Sequence, residues 1–389
     1  MPGVRVTVAP EVMQWVLQTA KQQHVDLGTI DIIEKWISGE KTPTFHQLET
    51  IGKRTSIPFG YFFLKKPPQE SCGIVDYRTV DSISVVNPSR NLMDTLDAMT
   101  RAQQWMSEYK KDRGYEPCHY VGSMKISHDI EKVSDMLRKE LEIDINWFTK
   151  YRNADDAFKA WKKKITEMDI LVMMNGVVGN NTHRKLSVNE FRAFTLIDEY
   201  APLIFINTAD SKNGKLFSIL HEFVHVLLGK NSFYNDEYGT HMYNSAEERF
   251  CNAVAAEILV PKRLFIVQWK QYSTETKDIV AALRQEYICS DFVLVRRALD
   301  CGLISREEYS RLVKLYEKRY VEYLKSLPAG GSGNFYSTLK SRWDPNFVRA
   351  LGSSVQSGRT QYLEAYNLTN TTGRTFAALT EPIGGYDVG

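Results

Sequence analysis

The stretch Lys215–Leu228 constrains this chain more than any other. Leu216, Ile219, Leu220, Phe223 and Leu227 recur at helical spacing and form an apolar stripe, and Gly229 is a natural C-terminal stop. The same stretch contains His221-Glu222-Phe223-Val224-His225, an H-E-x-x-H pattern. Residues four apart on a helix share a face, so His221 and His225 can reach one cation. Glu222, beside the first histidine, is placed to take a proton from a metal-bound water. The bland alternative is a core helix whose histidines make ordinary hydrogen bonds.

Catalytic zinc usually takes three protein ligands and a water. Downstream, Ser245 through Val260 reads as a second helix closed by Pro261, and Ser245 followed three residues later by Glu248 resembles a capping box. Ala246, Ala253, Ala255 and Ala256 are small enough for this helix to approach the first closely. Glu248 is the favoured third ligand, with Glu247 its rival and Glu257 a more distant alternative. A glutamate that closes a capping box cannot easily bind zinc as well, so the two readings of Glu248 compete. Asn252, one turn on, is expected to hydrogen-bond a ligating histidine.

The run Phe217-x-x-x-His221-Glu-x-x-His225-x-Leu-Leu-Gly229, followed by Glu248-x-x-Cys-Asn252-x-x-Ala-Ala256-x-x-Leu-Val-Pro261, resembles the ImmA/IrrE family of metallopeptidases. Phe191–Thr195 and Pro202–Asn207 resemble that family's approach to its zinc helix. The resemblance implies a zincin-like, gluzincin core. In it His221, His225 and Glu248 hold Zn2+, and Glu222 activates water. It also implies a protein substrate, since family members cut helix-turn-helix repressors.

At 389 residues the chain is long enough for two or three domains, and 43% hydrophobic with 25% charged residues is ordinary for a soluble protein. A net charge of +2 argues against a strongly basic nucleic-acid coat. No run approaches the ~18 apolar residues of a membrane span and no signal-peptide core is evident, so no membrane partner is expected. Five scattered cysteines, Cys72, Cys118, Cys251, Cys289 and Cys301, without C-x-x-C spacing suggest free thiols and a cytoplasmic setting.

Residues 1–70 resemble a helix-turn-helix domain of Xre-type regulators, with a helix from Pro10 to Lys21, another ending at Ser38-Gly39 and a third opened by Pro43-Thr44. Between Gln22 and Trp36 the chain is short for both a positioning and a recognition helix. A packing or protein-recognition module is as good a reading as a DNA reader. Residues 71–168 form a helical connecting region, with an extended segment at Asp76–Thr79, a long helix to about Lys111, and helices at 128–141 and 154–167 carrying the basic run Lys162-Lys163-Lys164. The peptidase core spans 169–275, with strand-like segments at Ile170–Met174, Val188–Leu196 and Pro202–Asn207. Tyr238, His241 and Tyr243, in the loop between the zinc helices, could donate to an oxyanion, but a polar surface loop with aromatic anchors is the better reading of each. Residues 276–325 form a helix-turn-helix-like pair in which Arg296 and Arg297 are candidate phosphate contacts. A linker at 326–334 and a C-terminal extension at 335–389 follow.

The sequence thus points to an α+β, mostly α fold, with a zincin-like core and small sheet flanked by helical domains. The leading function is zinc-dependent endopeptidase acting on a helix-turn-helix repressor or antitoxin. The alternative is a non-catalytic regulator or sensor that binds DNA or protein. Because the first unit is short of a recognition helix, residues 1–70 are expected to show weak or no sequence-specific DNA binding. A footprint at nanomolar protein and physiological salt, lost on deleting residues 1–70, would contradict this.

Overall fold

Apolar positions spaced for helices dominate the chain, and helices dominate the computed structural model, which describes residues 4–22, 25–55, 57–68, 88–127, 129–234, 245–326 and 335–381. The expected extended segment at 76–79, Cys72, the loop residues Tyr238, His241 and Tyr243, and residues 327–334 of the linker lie outside the described residues. The chain divides into two units, residues 1–76 with 85–97 and residues 77–84 with 98–389.

In the first unit α1 (Pro10–Gln22), α2 (Leu27–Ile37) and α3 (Phe45–Thr55) are followed by a 3-10 turn at Phe59–Phe63. Asp26 caps α2 by accepting from the Thr29 amide. Thr44 and Gln47 form a reciprocal box at the start of α3. Val12, Val16, Ile33, Trp36, Leu48, Ile51 and Phe62 share one core. Between Gln22 and Trp36 there is room for one helix start, that of α2 at Leu27.

The next elements are α4 (Arg90–Asp112), α5 (Ile130–Glu140), α6 (Trp147–Lys150) and α7 (Ala154–Glu167). Five strands come next: β1 (Leu171–Asn175), β2 (Val177–Val178), β3 (Asn181–Lys185), β4 (Ala193–Leu196) and β5 (Leu203–Asn207). Then α8 (Lys212–Leu228), β6 (Ser232–Tyr234) and α9 (Ala246–Leu259) build the centre of the second unit. The helices α10 (Lys262–Trp269), α11 (Thr276–Glu286), α12 (Asp291–Asp300) and α13 (Arg306–Ser326) precede α14 (Phe335–Arg342), α15 (Pro345–Gln356), α16 (Tyr362–Thr369) and α17 (Gly373–Thr380). The class is α+β, mostly α.

The main sheet has the order β1-β5-β4-β6, with β1 parallel to β5 and the other two pairings antiparallel. All residues of β4 and β5 are buried, which explains why they read as continuous apolar runs. The strand expected over Val188–Leu196 is confined to β4; Phe191 precedes it as a core side chain, its ring tilted against those of Phe194, Phe205 and Phe233. β2 and β3 form a separate short hairpin.

α8 lies in the largest apolar core, with Leu216, Ile219, Leu220, Phe223, Val224 and Val226 buried. Ser211 caps its start by accepting from the Gly214 amide at 3.0 Å. Its end is closed twice. Gly229 turns left-handed at φ 66°, and the amides of Gly122 and Met124 donate to the Val226 and Leu227 carbonyls at 3.2 and 2.8 Å. A Cβ on Gly229 would sit 3.1 Å from Gly122 Cα, so the close approach requires glycine as much as the dihedral does.

The C-terminal helices belong to this second unit. Asp344, fully buried at the start of α15, accepts from Thr166 Oγ1 at 2.7 Å, the Val172 amide of β1 at 3.0 Å and the Asn346 amide at 2.8 Å. Asp344→Ala leaves the Thr166 hydroxyl and the Val172 amide buried and without this acceptor, and is expected to lower unfolding free energy by about 2–3 kcal/mol in urea titration. A change below about 0.5 kcal/mol, the level of an ordinary surface substitution, would contradict the anchoring role.

Candidate metal centre

Helical spacing puts His221 and His225 one turn apart on α8, with Nε2 atoms 3.1 Å from each other. α9 packs against α8 and brings in Glu248, whose Oε2 lies 3.3 Å from His221 Nε2 and whose Oε1 lies 3.2 Å from His225 Nε2. All three side chains are buried, at 0, 2 and 3% exposure, so none is a solvated surface charge. These three residues form a cluster able to hold a metal ion, and no other such cluster occurs among the described residues.

The donor set fits a cation. Two imidazole nitrogens and a carboxylate face one point, and at most one proton can lie between the facing ring nitrogens. A single ion at that point satisfies all three. A tetrahedral zinc with bonds of about 2.0–2.1 Å holds its ligand atoms about 3.3–3.4 Å apart, close to the separations seen here. Two nitrogens and one oxygen also suit zinc better than calcium or magnesium, which prefer oxygen alone. Burial pushes the Glu248 carboxyl up, but the two histidines outweigh it and hold the carboxyl well below the usual range. Burial pushes the His225 imidazole down, and Glu248 reverses that and raises it.

The competition between capping and ligation at Glu248 resolves in the backbone. Ser245 Oγ accepts from the Glu248 amide at 3.1 Å, capping α9, while the Glu248 side chain turns to the histidines. Half of a capping box suffices for the helix start, which frees the carboxylate. Glu247 lies outside the cluster. Glu257 is committed elsewhere: it pairs with the buried Arg297 of α12 and accepts from the Lys262 amide at 3.1 Å. Arg138 of α5 also donates to the Glu257 carbonyl. Arg297 is therefore a core brace and no phosphate contact, and Arg296 pairs with Asp300 at 3.0 Å.

The expected bond from Asn252 to a ligating histidine is not seen, since both polar atoms of its side chain lack a partner among the described residues. Of the four alanines expected to ease the helix approach, Ala255 is fully buried and Ala246 is exposed. Glu222, fully buried, accepts from Thr195 Oγ1 at 2.6 Å and from Ser232 Oγ, both through Oε2. Sequence reasoning gave these hydroxyls no role. The signal lay in strand register, which places Thr195 opposite Ser232.

On this geometry His221→Ala, His225→Ala and Glu248→Ala should each abolish stoichiometric zinc binding by elemental analysis, while Glu247→Ala keeps it. Full zinc in both histidine variants would end this assignment of the cluster.

Residues 165–299 match the family model of the IrrE N-terminal-like domain. Residues 343–381 match that of a domain of unknown function, DUF8813. No curated protein and no solved structure matches the chain.

Proposed function

From the match of residues 165–299 to the family model of the IrrE N-terminal-like domain, we propose that the protein is a zinc-dependent endopeptidase acting on a regulatory protein. The observation that carries the reading is the convergence of His221, His225 and Glu248 beside a buried glutamate, Glu222. A scaffold that only holds a metal has no need of a second buried carboxylate beside the ligand set. The resemblance to repressor-cutting peptidases supports a helix-turn-helix repressor or antitoxin as the substrate.

The division of labour follows from the side chains. His221 and His225 would hold the ion through Nε2, and Glu248 through its carboxylate, the atoms that face one another here. Zinc held there supplies Lewis-acid polarisation of the scissile carbonyl and lowers the pKa of water toward ~7. Glu222 accepts a proton from the attacking water as its oxygen bonds to the carbonyl carbon. It then delivers that proton to the amide nitrogen as the C–N bond breaks. Glu222 is itself fully buried, and the low dielectric around it strengthens its interactions.

Glu222→Gln preserves shape and removes the base. It should keep fold and zinc while losing proteolysis by roughly 100-fold or more. Because it still binds substrate, this variant is also the bait for capturing the protein partner, whose cleavage by the wild-type protein is then followed on gels. Cleavage at the wild-type rate by Glu222→Gln would overturn the mechanism. Loss of effect only together with loss of zinc would make the metal structural and the protein a non-catalytic regulator.

A further inference from the structure

Two hydroxyl groups meet the Glu222 carboxylate from the sheet. Thr195 of β4 donates to Oε2 at 2.6 Å, and Ser232 of β6 donates to the same oxygen. The antiparallel pairing of β4 with β6 sets the two residues directly opposite each other. Opposed residues present their side chains to one face of a sheet, here the face covered by α8. All three side chains are at most 1% exposed. The second oxygen, Oε1, is buried with no hydrogen-bond partner among the described residues.

Each hydroxyl carries one proton; that of Ser232 is directed at Oε2, and that of Thr195 has Oε2 at 2.6 Å as a nearer acceptor than the Glu222 carbonyl at 3.3 Å. Charge-assisted bonds of this kind are short and directional, so they fix the plane of the carboxylate as well as its position. Oε1 is left with its lone pairs unmet, and a buried acceptor left so is costly until a proton-bearing group completes it. Resting on the peptidase reading above, the geometry points to Thr195 and Ser232 as positioning residues that clamp Oε2 and leave Oε1 as the oxygen that takes the proton. An O–H bond of the attacking water breaks toward Oε1. The same proton leaves Oε1 for the departing amine nitrogen, and neither hydroxyl is consumed.

The two donors are not equivalent. Thr195 is β-branched, stiff at χ1, and paired on both sides, with Ile204 of β5 and Ser232 of β6. Ser232 sits on the edge strand, paired on one side within the sheet. Thr195 is the firmer clamp, and its loss should cost more.

Two measurements on the full chain test this. The first is a double-mutant cycle in the metal-free protein. Thr195→Val should raise the unfolding constant about fivefold when Glu222 is present and by clearly less in a Glu222→Ala background, which keeps only the weaker contact to the residue 222 carbonyl at 3.3 Å. Equal effects in both backgrounds would show that the contact does not exist. The second uses acetohydroxamic acid, a zinc chelator whose hydroxyl proton needs an acceptor, titrated by calorimetry into zinc-loaded protein. Thr195→Val and Ser232→Ala should weaken it by about tenfold, the scale of losing groups that orient a metal site, with zinc affinity nearly unchanged. Thr195→Ser, which keeps the hydroxyl, should restore the affinity. Unchanged hydroxamate affinity in both variants would overturn the positioning role while leaving the zinc site intact. Failure of the wild-type protein to bind zinc would instead remove the peptidase reading itself.

Discussion

The burial of two histidines and a glutamate in the contact between α8 and α9 is the constraint on which the second unit depends. Ionisable groups removed from water cost several kcal/mol unless paired or bound to a cation. They stay in place only if the surrounding apolar contacts hold both helices firmly. The structure meets that need from several sides. The Gly122–Met124 segment closes the end of α8, the sheet packs along it, and α9 is held at its far end by Glu257 with Arg138 and Arg297. An ion held by these three side chains would couple its binding to folding, because the cluster of ligands is absent from the unfolded chain.

The region matching a domain of unknown function is tied into the same framework. Asp344 accepts from the Val172 amide of β1, and β1 pairs with β5, which pairs with β4 and its Thr195. A single buried carboxylate thus links the C-terminal helices to the sheet that carries a donor to Glu222. Lys162, the first residue of the basic run Lys162-Lys163-Lys164, also donates to the Ser341 carbonyl at 3.2 Å, a further tie to the C-terminal helices.

What could be read from sequence was what depends on local periodicity. The apolar stripe and the four-residue spacing of α8, the serine start of α9 and the apolar runs of β1 and β5 are all properties of contiguous residues. Glu248 was legible as a candidate because its helix start is a local signal. Its release from the capping box was not, since that depends on where α8 lies. β6, three residues long, and the β2–β3 hairpin are too short to carry a pattern. Thr195 with Ser232, and Glu257 with Arg297, are pairs made by strand register and helix packing across 37 and 40 positions (232 − 195 and 297 − 257). Nothing in their neighbours announces them. Arg297 in particular sits in a helix that reads as amphipathic, and only its burial separates a brace from a phosphate contact.

X-ray absorption at the zinc edge of the reconstituted protein tests the central claim most directly. The account predicts a first shell of nitrogen and oxygen at about 2.0–2.1 Å, with outer-shell scattering from two imidazoles and no sulfur. Cys251, buried on α9 three residues from Glu248, is the nearby soft ligand that could replace this arrangement. A sulfur shell near ~2.3 Å, or a spectrum without imidazole scattering, would contradict the assignment of His221, His225 and Glu248 as the metal-holding set.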